Sequence, residues 1–350
     1  MCLDGSTNLV EDRPLLWINE DYFLTFKDNT FDVPTNIGFD VWVGDENDYA
    51  EVTEIDLNNQ SLTTDFTDTL LSKFVNLNRL VLYDNSITVL DVSNSTALTY
   101  FSCTNNDISV LDVSSLVNLT YFSCTNNNIF VLDVSSLVNL TTFNCPNNNI
   151  SVLDVSNLVN LTSLLVYGNN ISILDVSNLV KLTSLQTYSN NISVLDTTNL
   201  VKITFLNIYN NNISVLDVTQ MPNLWFLNCG GNNISVLDIS SLIKLSRIFV
   251  SGNNITVLDV SNLVLLEDLV CKENNISVLD VSNLSVLDNL ICYDNQLDNL
   301  VNSQILEDLD NNGVLNGYIE SSIFGGGTLT AAGLTAKTNL QSKGWTIVGL

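Results

Sequence analysis

The chain has 350 residues and carries 38 acidic against 11 basic side chains, which gives a formal net charge of −27 at pH 7. Nucleic acids and anionic membrane surfaces recruit clustered Lys and Arg, so the lack of such clusters excludes both as partners. The sequence contains no histidine, which excludes Ser–His–Asp and Cys–His catalysis and imidazole metal sites.

The N-terminal part lies outside any repeat. Its first residues, MCLDGSTNLVEDRP, lack the basic and apolar segments of a secretory signal. No run of about 18 apolar residues occurs, so we expect no membrane insertion. Residues 1–51 are rich in aromatic side chains and predict a β-rich N-terminal cap. An irregular first repeat follows over residues 52–76, with a helical turn predicted at TDTLLSKFV.

From Leu77 the chain repeats every 21 residues. We number the 21 columns of the repeat from this leucine, which is column 1. The frame is L-x-x-L-x-(L/C/V)-x-x-N-x-I followed by x-x-L-D-V-S-x-L, as in LTSLLVYGNNISILDVSNLVK (residues 161–181). The apolar columns are too many for one amphipathic helix or a lone strand. Stacked units, in contrast, bury these columns in a continuous core.

This pattern resembles the leucine-rich repeat family. Among its subtypes, a 21-residue unit with cysteine at the sixth position is similar to the internalin type of bacterial surface protein. The resemblance implies a leucine-rich repeat solenoid over residues 52–300, with a curved parallel β-sheet of about 11–12 strands. We expect mostly β and turn structure with little helix, and a cap at each end.

Two columns of the repeat carry polar or reactive side chains that we interpret structurally. Column 6 accepts cysteine, leucine, valine or isoleucine, so its thiols are predicted to be buried and free, with a disulfide between neighbouring coils as the alternative. Column 9 is always asparagine, which predicts a ladder of amide hydrogen bonds to the backbone of its own and the next coil. Cys2 stands outside the pattern.

Column 15 is aspartate in ten successive copies, from Asp91 to Asp280. Carboxylates about 5 Å apart repel one another, so something must offset the repulsion. One explanation is local hydrogen bonding to backbone amides and to the Ser or Thr of column 17. The other is a string of bound cations, above all calcium.

In leucine-rich repeat proteins ligands usually meet the concave sheet, here columns 2, 3, 5, 7 and 8. The middle coils place aromatic side chains in these columns, which suit sugar stacking or a protein hot spot. The alternative is that the rings only cover neighbouring strands. The candidate ligand-binding residues are Tyr167, Tyr188, Phe205, Tyr209, Trp225, Phe226 and Phe249.

Residues 301–350 break the period and predict a C-terminal cap. We expect one short helix from about Ala331 to Ser342, ended by Gly344, and then a closing strand. The segment EDLDNNGVLNGYIE resembles the first half of an EF-hand loop, with Asp308, Asp310 and Asn312 as candidate calcium ligands. The closing Glu320 comes one residue late, and an ordinary turn is the alternative.

These features favour a non-enzymatic recognition or adhesion protein that binds a surface glycan or protein through the concave face. We expect an extracellular location on a bacterial surface or a virion, although this chain shows no signal peptide or anchor. The alternative is a structural component of a virion or surface layer with contacts through caps and flanks. A two-carboxylate glycosidase is disfavoured because no pocket groups the concave acids. No cofactor other than calcium is expected.

Overall fold

The computed structural model describes residues 15–18, 23–26, 29–32, 52–62, 71 and 73–350. They belong to two compact units, residues 1–172 and residues 173–350.

The first unit begins with three short strands inside the segment predicted to be a β-rich cap. Strand β1 (Leu15–Ile18) pairs antiparallel with β2 (Phe23–Phe26), and β2 forms a hairpin with β3 (Asn29–Asp32). Strand β1 also pairs in parallel with β4 (Glu54–Asp56), which belongs to the irregular first repeat. The rest of the predicted cap, and most of the helical turn predicted at residues 67–75, lie outside the described residues.

The remaining strands of the first unit are three residues long, one per repeat, and each pairs in parallel and in register with the next. They are β5 (Arg79–Val81), β6 (Tyr100–Ser102), β7 (Tyr121–Ser123), β8 (Thr142–Asn144) and β9 (Ser163–Leu165). The central residue of each strand points into the core. Among these residues, the Phe122 ring stacks between the Phe101 and Phe143 rings at centroid distances of 5.4 and 5.6 Å.

The second unit continues the same pattern of parallel, in-register strands. Its strands are β10 (Ser184–Gln186), β11 (Phe205–Asn207), β12 (Phe226–Asn228), β13 (Arg247–Phe249), β14 (Asp268–Val270), β15 (Asn289–Ile291), β16 (Tyr318–Glu320) and β17 (Thr346–Val348). Both units are therefore stretches of leucine-rich repeat solenoid with 21-residue coils, as predicted. Strands β16 and β17 come from the C-terminal cap, so this sheet extends beyond the repeats.

The column 9 asparagines form the predicted ladder, although each bonds the preceding coil rather than the next. In the first unit, Asn106 Nδ2 donates to Leu82 O at 2.8 Å and to Cys103 O at 3.1 Å. Its Oδ1 accepts from Ile87 N at 3.0 Å. In the second unit, Asn211 makes the three equivalent bonds at 3.0–3.1 Å. It donates to Thr187 O and Ile208 O and accepts from Ile192 N. Each amide therefore satisfies backbone groups that no strand pairing reaches.

The column 6 cysteines are free and fully buried, as predicted. Burial raises the pKa of the Cys229 and Cys292 thiols to about 12 and shifts the pKa of Cys103 and Cys124 in the same direction. These thiols stay protonated and serve as small apolar core groups. Cys2 lies outside the described residues.

The C-terminal cap contains two helices rather than the one that was predicted. The missed helix, α1 (Asn299–Asn312), begins after Asp298, whose Oδ1 accepts from the backbone N–H of Leu300 and Val301, and it ends at Gly313 with a φ of 77°. A capping aspartate, apolar residues and a C-terminal glycine are all helix signals that the sequence contains.

The second helix, α2 (Ala331–Ser342), lies where the sequence predicted it, and β17 follows it. It packs closely on α1 through Gly333. A Cβ at this glycine would lie only 2.7 Å from Ser303 Cβ, so no larger residue fits without a shift.

We expect Asn127→Ala to lower the free energy of unfolding by about 3 kcal/mol, because it leaves buried backbone groups without partners. The lost bonds join Asn127 to Cys103 O, Cys124 O and Ile108 N at 3.0–3.1 Å. Chemical denaturation measures the change. The control is Asn128→Ala, at the exposed neighbouring position, where less than about 0.5 kcal/mol is expected. Equal effects at the two positions would contradict the ladder.

We expect the six buried thiols to resist a disulfide reagent in the native protein, because they are fully buried and the reagent cannot reach them. Colorimetric thiol counting before and after denaturation tests this. No more than the one equivalent from Cys2 should react in the native protein, and all seven cysteines should react after denaturation. Fast reaction of several thiols in the native protein would show that the reagent reaches the column 6 cysteines.

Candidate functional site

The exposed face of the sheet in the second unit carries the candidate site. In each three-residue strand the central side chain is buried, so the first and third side chains project from the opposite face. We call this surface the strand face. Register places Phe205 beside Phe226, and Phe226 beside Arg247. Side chains that are 21 residues apart in sequence therefore become direct neighbours.

Four of the predicted residues meet on the strand face, and we call Phe205, Trp225, Phe226 and Phe249 the aromatic cluster. The rings of Phe205 and Phe226 stack in parallel at 4.2 Å. Trp225 meets both of them edge-on at 5.7 Å, and Phe249 lies 5.5 Å from Phe226. Trp225 remains 42% exposed, so the cluster presents a continuous apolar surface with an indole at its rim.

The remaining predicted residues are three tyrosines. The Tyr209 ring lies over a glycine pair, since a Cβ at Gly230 would come within 3.3 Å of Tyr209 Cδ2 and one at Gly231 within 3.5 Å of Cε2. That contact fits the interpretation of a ring that covers backbone, although Tyr209 stays 46% exposed. Tyr188 is half-buried in the second unit, and Tyr167 is half-buried in the first unit.

Charged residues border the aromatic cluster on the next strands. Arg247 pairs in register with Phe226 on one side and with Asp268 on the other. Burial raises the pKa of Asp268, a shift that the Asn289 hydrogen bond at 2.7 Å and Arg247 oppose and that Asp288 and Glu267 reinforce. Arg247 was not singled out from the sequence. Its place in column 3, next to the aromatic positions, was the available signal.

The first unit has its own aromatic stack, which was not among the predicted site residues. Arg79 Cζ lies 4.0 Å above the Tyr100 ring, and Tyr121 stacks on Tyr100 at 4.2 Å. The Tyr121 hydroxyl accepts a bond from Asn144 Nδ2 at 3.4 Å. Arg79 and Tyr121 together occupy the ring faces of Tyr100, so this stack supports neighbouring strands more than it offers a platform.

The residues proposed as calcium ligands lie on a helix and not in a loop. Asp308 accepts from Gln304 at 2.8 Å, Asp310 pairs with Lys343 at 2.5 Å, and Asn312 donates to Val281 O at 2.9 Å. The prediction of an EF-hand-like loop is therefore wrong in its local structure, because the capped helix α1 runs through residue 312. Their side chains bond different parts of the protein and do not converge.

The column 15 aspartates make the local hydrogen bonds that one interpretation required. Asp133 Oδ1 accepts from Ser135 N at 3.0 Å and from Ser135 Oγ at 2.7 Å, and Asp238 repeats the pattern with Ser240. The serine hydroxyl bond, and then the backbone bond, lower the pKa of both aspartates. The carboxylates are thus held in place and charged by their own turns.

Two further observations concern the described part of the chain. Within it, no group of three or more Cys, Asp or Glu side chains is arranged to hold a metal ion. Neither helix of that part is long and apolar enough to cross a membrane.

No protein-family model matches this chain, and comparison with curated proteins gives no match. Solved structures do match. An internalin, InlF from Listeria monocytogenes, is 25% identical with a TM-score of 0.72, over 87% of this chain and 88% of that one. The functional domain of InlJ from the same species, which includes a cysteine ladder, is 28% identical with a TM-score of 0.59, over 79% of this chain and 70% of that one.

A leucine-rich repeat protein of Leptospira interrogans has a similar fold, with 22% identity and a TM-score of 0.66, over 85% of this chain and 84% of that one. This protein therefore has the leucine-rich repeat fold. Its structural neighbours are internalins and other leucine-rich repeat proteins.

We expect Ser135→Ala to raise the pKa of Asp133, because the hydroxyl bond is the largest cause of its lowered value. A lowered carboxyl pKa stabilises the fold above the unfolded pKa, and this contribution is lost as pH falls through the folded value. Carboxyl titration by NMR measures the shift. The control is Ser136→Ala, whose hydroxyl bonds Ser114 O instead. A pKa of Asp133 unmoved by Ser135→Ala would contradict the local account.

Proposed function

We propose that this protein is a non-enzymatic recognition or adhesion protein. It binds a protein or glycan on a cell surface through the aromatic cluster of the strand face, and it acts extracellularly on a bacterial surface or a virion. The observation that carries the proposal is the cluster itself. Four rings, each in contact with Phe226 or belonging to it, leave the Trp225 indole substantially exposed on a rigid sheet.

Aromatic surface that is left exposed to water is unfavourable for the free protein. Phe and Trp bring large apolar area with little conformational entropy to lose, which is why such rings dominate the centres of binding surfaces. Cross-strand support explains the stacked Phe205 and Phe226 rings but not an exposed indole at their edge. The likeness to internalins agrees with a recognition role.

A second function is favoured by a different surface. On the flank of the second unit, column 13 holds an exposed valine or isoleucine in six successive coils, and we call this row the valine ridge. Its members are Ile173, Val194, Val215, Val236, Val257 and Val278. Such a row suits lateral contacts, as a structural component of a virion or surface layer requires.

We expect the double variant Trp225→Ala, Phe226→Ala to bind its target on the order of 30-fold more weakly, the effect of losing a hot spot. Labelled protein is titrated against a panel of bacterial cells and purified surface glycans and proteins. Circular dichroism verifies that the variant is folded.

The matched control is Ile243→Ala, Val264→Ala, which removes exposed apolar surface of the same unit away from the cluster. The control should bind as the native chain does. Selective binding that survives the loss of Trp225 and Phe226 would move the site elsewhere. No binding by the native chain to any member of the panel would favour the structural function.

A further inference from the structure

The valine ridge is the most regular exposed apolar surface among the described residues of the second unit. Its six side chains are 67–78% exposed. Ile173 and Val194 form a parallel bridge, so the backbone here is extended and successive coils lie side by side. At about 4.8 Å per coil, the side chains form a nearly continuous apolar strip.

The requirements of the fold do not explain this strip. Column 12, the position immediately before it, is equally exposed but polar, with Ser193, Ser214, Ser235, Thr256 and Ser277. Threonine is β-branched like valine and would serve an extended backbone without exposing apolar area. Six successive coils nevertheless have valine or isoleucine in the ridge, from Ile173 to Val278. The extended backbone by itself therefore does not require an apolar side chain at this position.

A row of carboxylates runs beside the ridge. Each column 15 aspartate lies two residues after a ridge residue, and in an extended chain residues two apart share a side. Between two coils, an open groove of about 360 Å³ is lined by residues that include Val236, Asp238, Val257 and Asp259, with Ser235 and Thr256. The aspartates are held by bonds to the next Ser or Thr, such as Ser240 Oγ to Asp238 Oδ1 at 2.7 Å. The groove therefore combines apolar contact with oriented negative charge.

The charge decides which occupant fits. A second copy of this chain would bring another aspartate row and a net charge of −27 against the first, and like charges in opposition are unfavourable. A partner that alternates apolar and cationic side chains satisfies both rows together. Its approach would also be accelerated by the negative field of the protein.

We propose that the valine ridge and the adjacent aspartate row form a docking surface for a partner protein. The contacting face of that partner carries valine-sized apolar side chains interleaved with lysine or arginine. This surface is separate from the aromatic cluster and does not depend on the function proposed for it.

The test uses a labelled synthetic peptide of repeated Lys-Ser-Val-Ser units, in which Lys and Val share one face of an extended chain. Fluorescence anisotropy measures its affinity for the full-length protein. A second peptide with Thr in place of Val keeps the charge and removes the apolar groups. We expect the valine peptide to bind about tenfold more tightly than the threonine peptide and to weaken as salt screens the charges.

Two triple variants identify the surface. Val215→Thr, Val236→Thr, Val257→Thr keeps the shape and should abolish the preference for the valine peptide. Asp217→Asn, Asp238→Asn, Asp259→Asn keeps an acceptor for each turn bond and should weaken binding about tenfold. The control, Glu267→Gln, Asp268→Asn, Asp288→Asn, removes the same number of charges outside the aspartate row and should change binding less than about twofold.

Three results would overturn the proposal. The peptides could bind equally, which would make the attraction purely electrostatic. The aspartate-row variant and its charge control could lose binding equally, which would show that the aspartate row has no special role. Finally, the native chain could bind neutral phosphatidylcholine vesicles and lose that binding in the valine variant, which would assign the ridge to a lipid surface.

Discussion

The asparagine ladder is the interaction on which the rest of this structure depends. Strands of only three residues pair few backbone groups, so each coil leaves N–H and C=O groups at its turn inside the core. One amide per coil, such as Asn106 or Asn211, donates to two carbonyls and accepts from one N–H. Because one carbonyl and the N–H belong to the preceding coil, the same side chain closes its own turn and fixes the coil-to-coil register.

Because buried asparagines fix the coil-to-coil register, the exposed side chains are free to vary. The inward columns repeat Leu, Ile, Val and Cys with almost no exposure, while the first and third residues of each strand differ from coil to coil. The protein can therefore place Phe205, Phe226 and Arg247 in one line without changing its core. Recognition by such a surface would be tuned by substitution at exposed positions, at little cost in stability.

The two exposed surfaces of the second unit differ in kind. The aromatic cluster is local and irregular, as suits one defined target, whereas the valine ridge is periodic and repeats one contact per coil. The column 15 aspartates show how a row of like charges is tolerated. Each carboxylate bonds its own turn, which lowers the pKa of Asp238 and of the other column 15 aspartates of the second unit and keeps them charged.

The sequence by itself determined the repeat length, the inward columns, the buried thiols and the asparagine ladder, because in a solenoid each contact recurs at a constant sequence separation. It also located α2, since that helix is marked by local signals. Only the tertiary structure decided which outward side chains meet. It united four rings around Phe226, laid Tyr209 over Gly230, and turned the predicted calcium loop into the end of α1. These outcomes depend on ring orientation and on non-periodic packing against the cap, which no constant spacing encodes.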